Sequence, residues 1–117
     1  MSYYDGFVVA VPVANKDAYI TQARKAWDMF RDMGALSTVE AWADDVPDGD
    51  VTSFPMAVKK KDDEAVVFSW VEWPDKASRD AAWSKMQEAG PEAMGEMPFD
   101  GKRMIYGGFA PILAERA

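Results

Sequence analysis

Two stretches of the chain are apolar on both of their alternating faces, and they organise the reading of the rest. In the first, Phe7, Val9, Val11 and Val13 alternate with Val8 and Ala10. In the second, Val66, Phe68 and Trp70 alternate with Val67, Val71 and Trp73. Runs of this kind belong to strands covered on both sides. The pattern over Leu36–Asp44 and Arg103–Ala110 predicts two further strands, and the segments Asn15–Gly34 and Asp75–Gly90 read as helices. The order is strand, helix, strand, repeated once. A βαββαβ chain predicts an α+β, ferredoxin-like antiparallel sheet with two helices on one face. In that arrangement the first and third strands are central, which suits the two doubly apolar runs.

The first helix is expected to start at Asn15, with Asp17 in the turn where a negative charge suits the helix dipole, and to bury Tyr19, Ala23, Trp27 and Phe30 at helical spacing. Gly34 suits the residue past its end, where positive φ is common. The second helix starts at Asp75 and carries a narrower stripe of Ala82, Met86 and Ala89, with Trp83 at its edge. Gly90-Pro91 ends it.

The connection from Asp44 to Ala65 opens on a turn, Val46-Pro47-Asp48-Gly49-Asp50, and is otherwise apolar enough to pack. It predicts an ordered, mostly irregular arm with one short helical turn. Its acidic start is not an EF-hand loop: counting from Asp44, Val46 stands at position three, and Pro55 stands where a bidentate Glu is required. Lys59-Lys60-Lys61 followed by Asp62-Asp63-Glu64 reads as a solvated turn of cancelling charge. A second irregular stretch runs from Pro91 to Gly101. Gly107-Gly108 lies inside a strand pattern, so close approach of a neighbour explains it better than a phosphate loop.

Alternation along the strands predicts which side chains share a face. Val39, Ala41 and Ala43 form a smooth face suited to the helices, as do Ile105, Gly107 and Phe109. Trp42, Phe68, Trp70, Met104 and Tyr106 would then gather on the opposite face with Glu40 and Glu72. An apolar concavity holding a few polar groups is the usual form of a small-molecule site. The expected candidates are Glu40, Glu72 and Tyr106 for proton transfer, with Trp42, Phe68, Trp70 and Met104 as walls. The competing expectation puts both carboxylates at the sheet rim, in water or paired with Lys or Arg.

Composition narrows the chemistry. The 117 residues suit one domain spanning 1–117, and hydrophobic residues make up 49%. There is no His and no Cys, which removes imidazole bases, thiol nucleophiles, disulfides and zinc sites built on those ligands. No metal or cofactor is expected. Net charge is −7, from 13 basic and 20 acidic residues, so no nucleic-acid partner is expected. The apolar runs are too short to span a bilayer, and the N-terminus lacks a signal-peptide pattern, so a cytoplasmic location is expected.

The strings DDVPDGDVTSFPMAVKKKDDEAVVFSWV and MPFDGKRMIYGGF, with Asp5-Gly6-Phe7-Val8-Val9 near the start, resemble the YbaA-like bacterial family, domain of unknown function 1428. The match extends over nearly the whole chain. The family is similar in fold to the dimeric α+β barrels. That superfamily includes cofactor-free monooxygenases, haem proteins of the chlorite-dismutase type and stress-responsive barrels. Without His this chain offers no usual haem ligand. The resemblance implies a homodimer and a small-molecule-binding barrel, with a cofactor-free enzyme of monooxygenase or isomerase type as one form of it. The alternative is a non-catalytic stress or interaction module with a packed dimer interior. A dimer also follows from the residues, because two helices can cover only one face of a four-stranded sheet.

Overall fold

The computed structural model describes residues 1–90 and 95–117. Strands β1 (Tyr3–Pro12), β2 (Ser37–Trp42), β3 (Glu64–Trp73) and β4 (Ile105–Phe109) form one antiparallel sheet in the order β2-β3-β1-β4. Helices α1 (Lys16–Asp32) and α3 (Lys76–Ala89) pack on one face, and a single helical turn, α2 (Phe54–Ala57), lies on the other. The doubly apolar runs are the central strands β1 and β3, paired from Tyr3↔Trp73 to Pro12↔Glu64. The fold is the ferredoxin-like α+β sheet that the element order predicts.

The helix face is the larger core. Tyr19 packs with Val9, Val11 and Val67, and Ala82 packs with Val71 and Trp73. Asn15 precedes α1 but does not cap it with its side chain. A turn of 3-10 helix over Val13–Asn15 runs into α1 instead, and the Asn15 amide donates to the Pro98 carbonyl at 2.9 Å. Asp75 is a true cap and accepts from the Ser78 amide at 2.7 Å.

The opposite face is covered over one end only. The arm between β2 and β3 folds across it, burying Val58 against Val8, Ala10 and Val66. Ser53 caps the turn of α2. The run Asp62–Glu64 is not wholly solvated. Glu64 is buried and pairs with Arg103, Nη2 to Oε2, at 2.6 Å. Of the irregular stretch Pro91–Gly101, residues 91–94 lie outside the described residues; the remainder leads into a turn of 3-10 helix at Gly101–Arg103. Gly108 has no room for a side chain. A Cβ there would meet the Tyr3 hydroxyl at 2.4 Å and Arg79 of α3 at 2.9 Å, which accounts for this glycine by close approach.

Two of the expected facial assignments are reversed. In β2, Glu40 lies opposite Ser69 and Trp42 opposite Val67, so Thr38, Glu40 and Trp42 face the helices, and Val39 and Ala41 face away. In β4, Tyr106 lies opposite Phe7 on the helix face, and Ile105 and Phe109 point to the far face. A shift of one residue in strand phase exchanges every side chain between faces. Both errors fall on edge strands, where neither face is fully roofed and the smoother apolar face need not be the helix-covered one.

Candidate functional site

The reversed phase of β2 places Glu40 beneath α1, and a pocket opens there. It holds about 150 Å³ of free space between α1, the helix face of the sheet and the segment around residues 97–104. Phe7 and Val9 form its floor from β1, Phe30 and Ala26 line it from α1, and Met97 and Phe99 close one side. The helical stripe of α1 explains the roof, because the spacing that buries Tyr19 also turns Ala23, Ala26 and Phe30 toward the sheet.

At one end the apolar lining gives way to three polar groups. The Tyr19 hydroxyl donates to Glu40 Oε1 at 2.6 Å. Ser69 stands directly across the ladder from Glu40 and lines the same end of the pocket. As a residue Glu40 is exposed, while its carboxyl end, held by the part-buried bond to Tyr19, loses solvent. Loss of solvent at that end raises the Glu40 pKa above the usual glutamate range, and the Tyr19 and Ser69 hydroxyls act against the rise. Tyr19 is pushed up as well, first by its burial and then by the Glu40 charge. A carboxylate beside a tyrosine hydroxyl in an apolar pocket can accept a hydrogen bond or a proton from a bound molecule.

Of the residues singled out from the sequence, Glu40 and Met104 both line this pocket, and the others lie elsewhere. Glu40 and Glu72 lie on opposite faces of the sheet, so they cannot act as a carboxylate pair. On the far face, Glu72 accepts from Ser2 (2.6 Å) and Ser37 (2.9 Å), and these contacts hold its pKa below the ordinary value. Tyr106 is on the helix face, stacked on Trp83 of α3 with ring centres 6.1 Å apart. Trp42 is also on the helix face, under Lys16 at 5.0 Å, and Met104 packs beside Tyr19 and Val9. Phe68 and Trp70 keep the far face, in ring contact at 5.6 Å.

Tyr19 and Ser69 are the site residues that the sequence reading missed. Each leaves a trace in the pattern: Tyr19 is the one stripe residue of α1 that carries a hydroxyl, and a buried Tyr hydroxyl needs a partner. Ser69 is the lone hydroxyl in the run Val66–Val71.

A second polar cluster joins α3 to β1. Asp5 is 2% exposed and accepts from Trp73 Nε1 (3.0 Å), Trp83 Nε1 (2.9 Å) and Arg79 Nη2 (2.8 Å). Its acceptor atoms are committed to these internal donors, so it serves packing. Among the described residues there is no acidic, His or Cys cluster that could hold a metal ion, and no helix is long and apolar enough to cross a membrane.

Residues 2–101 match the family described as "Protein of unknown function (DUF1428)". The chain belongs to the DUF1428 family. Within reach of that family, it is 59% identical over 117 residues to "Uncharacterized protein YbaA" of Escherichia coli K12, covering 98% of this chain and 100% of the relative. The YbaA protein of Shigella flexneri gives the same figures. The fold is similar to that of a crystal structure described as a dimeric ferredoxin-like protein from an uncultured marine organism. There the TM-score is 0.56 and the identity 11%, with 100% of both chains covered. That similarity concerns the fold of this DUF1428 chain and not its chemistry.

Proposed function

We propose that this protein is a homodimer that binds a small, largely apolar molecule in the pocket under α1, with Glu40 as the group that handles a proton or hydrogen bond. The observation that carries the reading is the convergence of Tyr19, Glu40 and Ser69 at one end of a pocket whose other described lining residues, Gln22 apart, are apolar. The walls are Phe7, Phe30, Phe99 and Met97 in place of the tryptophans expected from the sequence. Because the pocket lies within one chain, binding does not require a space between two sheets. A cofactor-free enzyme of isomerase or monooxygenase type is one form this function can take, with Glu40 as its proton acceptor. The acidic balance of the chain leaves nucleic acid outside the proposal.

The dimer is argued from the far face. Phe68, Trp70, Ile105 and Phe109 lie there; the arm touches Phe68 only through Phe54, at 5.9 Å between ring centres, and Phe109 is 62% exposed. Burying large side chains of this type is worth about 1.5–3 kcal/mol each. A second copy offers the same surface and closes both patches about a two-fold axis. The marine neighbour is itself described as dimeric.

The test of binding is a thermal-shift screen over small ring compounds with the wild type and Ala26→Phe, which fills the pocket from its roof. A ligand at a hundred times its dissociation constant adds about 2.7 kcal/mol to stability. The expected result is a set of compounds that raise Tm in the wild type and not in Ala26→Phe. No shift with any compound, or shifts that survive the filled pocket, would remove the site. The far face favours a second reading, a non-catalytic interaction module. A protein that dimerises normally yet binds nothing in this screen would select it.

A further inference from the structure

The size, charge and polar end of the pocket narrow the class of molecule that it can hold. A dry apolar cavity of about 150 Å³ accommodates a benzene ring, and the free space here is about 150 Å³. The aromatic side chains Phe7, Phe30 and Phe99 face that space. Among the described residues Glu40 is the one charged side chain in the lining, which also carries the Tyr19 and Ser69 hydroxyls and the Gln22 amide.

A carboxylate has about four acceptor positions on its two oxygens. Tyr19 takes part of that capacity and leaves room for a further donor. An anionic ligand would meet a like charge in a sheltered place. A primary ammonium would be drawn to Glu40 but would have to shed its water on entry, and desolvating a second charge cancels much of that attraction. A neutral hydroxyl brings one donor and no charge.

Resting on the binding reading above, we propose that the pocket takes a neutral single-ring compound bearing one hydroxyl, a phenol, with the ring among Phe7, Phe30 and Phe99 and the hydroxyl donating to Glu40. The carboxylate thereby selects for a donor and against acids of the same size.

The experiment measures binding of p-cresol, toluene, benzoate and benzylamine to the full chain by calorimetry or ligand-observed magnetic resonance, with the wild type and Glu40→Gln. In the wild type near neutral pH, p-cresol should bind about tenfold or more tightly than toluene and benzoate, the range of a hydrogen bond to a charged group. It should also bind more tightly than benzylamine. Glu40→Gln should shrink the preference over benzoate while leaving toluene unchanged. Should that variant fail to fold, the wild type alone decides, with benzenesulfonate, which stays ionised in acid, as the anion: its handicap must lessen as pH falls and Glu40 takes up a proton.

Toluene binding as well as p-cresol would overturn the phenol class and leave the binding site standing. Benzoate or benzylamine binding more tightly than p-cresol would overturn it in the same way. Binding of none of the four overturns this proposal, while the site itself falls only if the wider screen also finds nothing sensitive to Ala26→Phe.

Discussion

On the helix side of the sheet, the carboxylates are held by internal partners: the buried Asp5 holds two indoles and a guanidinium, and Glu40, on the edge strand, holds a phenol hydroxyl. On the far side, the apolar surface runs out to the edge strands, and Ile105 and Phe109 remain exposed beside the arm. The first pattern belongs to a surface finished within one chain, with a pocket left in it. The second is the pattern on which the proposed homodimer rests. The contrast explains why the candidate site and the candidate interface occupy different sides of one sheet, back to back.

The largest effect that should separate the two sides comes from their carboxylates. Asp5→Ala would take from the sheltered Arg79 its buried partner, leaving it only Asp80, and would leave two indole N–H groups without their acceptor. A loss of about 3–5 kcal/mol is expected from breaking a buried pair in this way. Glu72→Ala on the far face should cost about 1 kcal/mol, because its serine partners can turn to water. Urea unfolding of the two variants checks this, and equal losses would contradict the division into a finished and an unfinished side.

Next in size is the association state. Light scattering at micromolar concentration should give a dimer for the wild type, and a monomer or an aggregate for Trp70→Glu. A wild type that stays monomeric and well folded would end the barrel model of assembly, though not the pocket.

The third expectation concerns pH, and the two carboxylates have opposite signs. Arg103 holds the Glu64 pKa down to about 2. Its contribution is therefore fully present above the ordinary glutamate value of about 4.3 and is lost as pH falls toward the folded value. Glu40 is raised, so the folded state holds its proton more tightly than the unfolded chain. That contribution is present in acid and is lost as pH rises from the ordinary value through the folded one. Glu64→Gln should thus be less stable than the wild type at neutral pH and converge with it in acid. Glu40→Gln should be the more stable of its pair at neutral pH and converge in acid as well. Stability against pH for the three proteins tests the signs, and a Glu40→Gln protein that loses stability at neutral pH would contradict the sheltered carboxylate.

The smallest effect is expected from the tail. Ile112 is 101% exposed and makes no packing contact that folding requires. Removal of residues 111–117 should change the unfolding free energy by no more than about 0.5 kcal/mol. A large loss would show that the tail belongs to the core.

The central strands were legible in the sequence because β1 and β3 are apolar on both faces, and no choice of phase could misplace them as buried. The helical turn in the arm followed from an apolar stretch interrupted by Pro55, which sits in the first turn of α2. The edge strands were not legible in the same way. Val39 and Ala41 looked like helix-facing positions because they are apolar, yet they belong to the open face. Glu40 looked like a rim residue because it is charged, yet its carboxyl is folded under α1. What fixes these positions is pairing across the ladder, Glu40 with Ser69 and Tyr106 with Phe7, and such pairings join residues far apart in sequence. The site depends on that tertiary register, so its location could not be read from alternation alone.

Arg103 gives the fold a crosslink of another kind. Its guanidinium binds both oxygens of Glu64, the side chain of Asp100 and the Lys59 carbonyl at 2.9 Å. It thereby ties the arm, the start of β3 and the approach to β4 at one point. In many small domains a disulfide closes such a loop, but this chain has no cysteine. The staple is electrostatic, and its weakness differs accordingly: reductants and oxidants leave it intact, and strong acid opens it by protonating Glu64. A protein held in this way keeps its closure through any change in thiol redox balance.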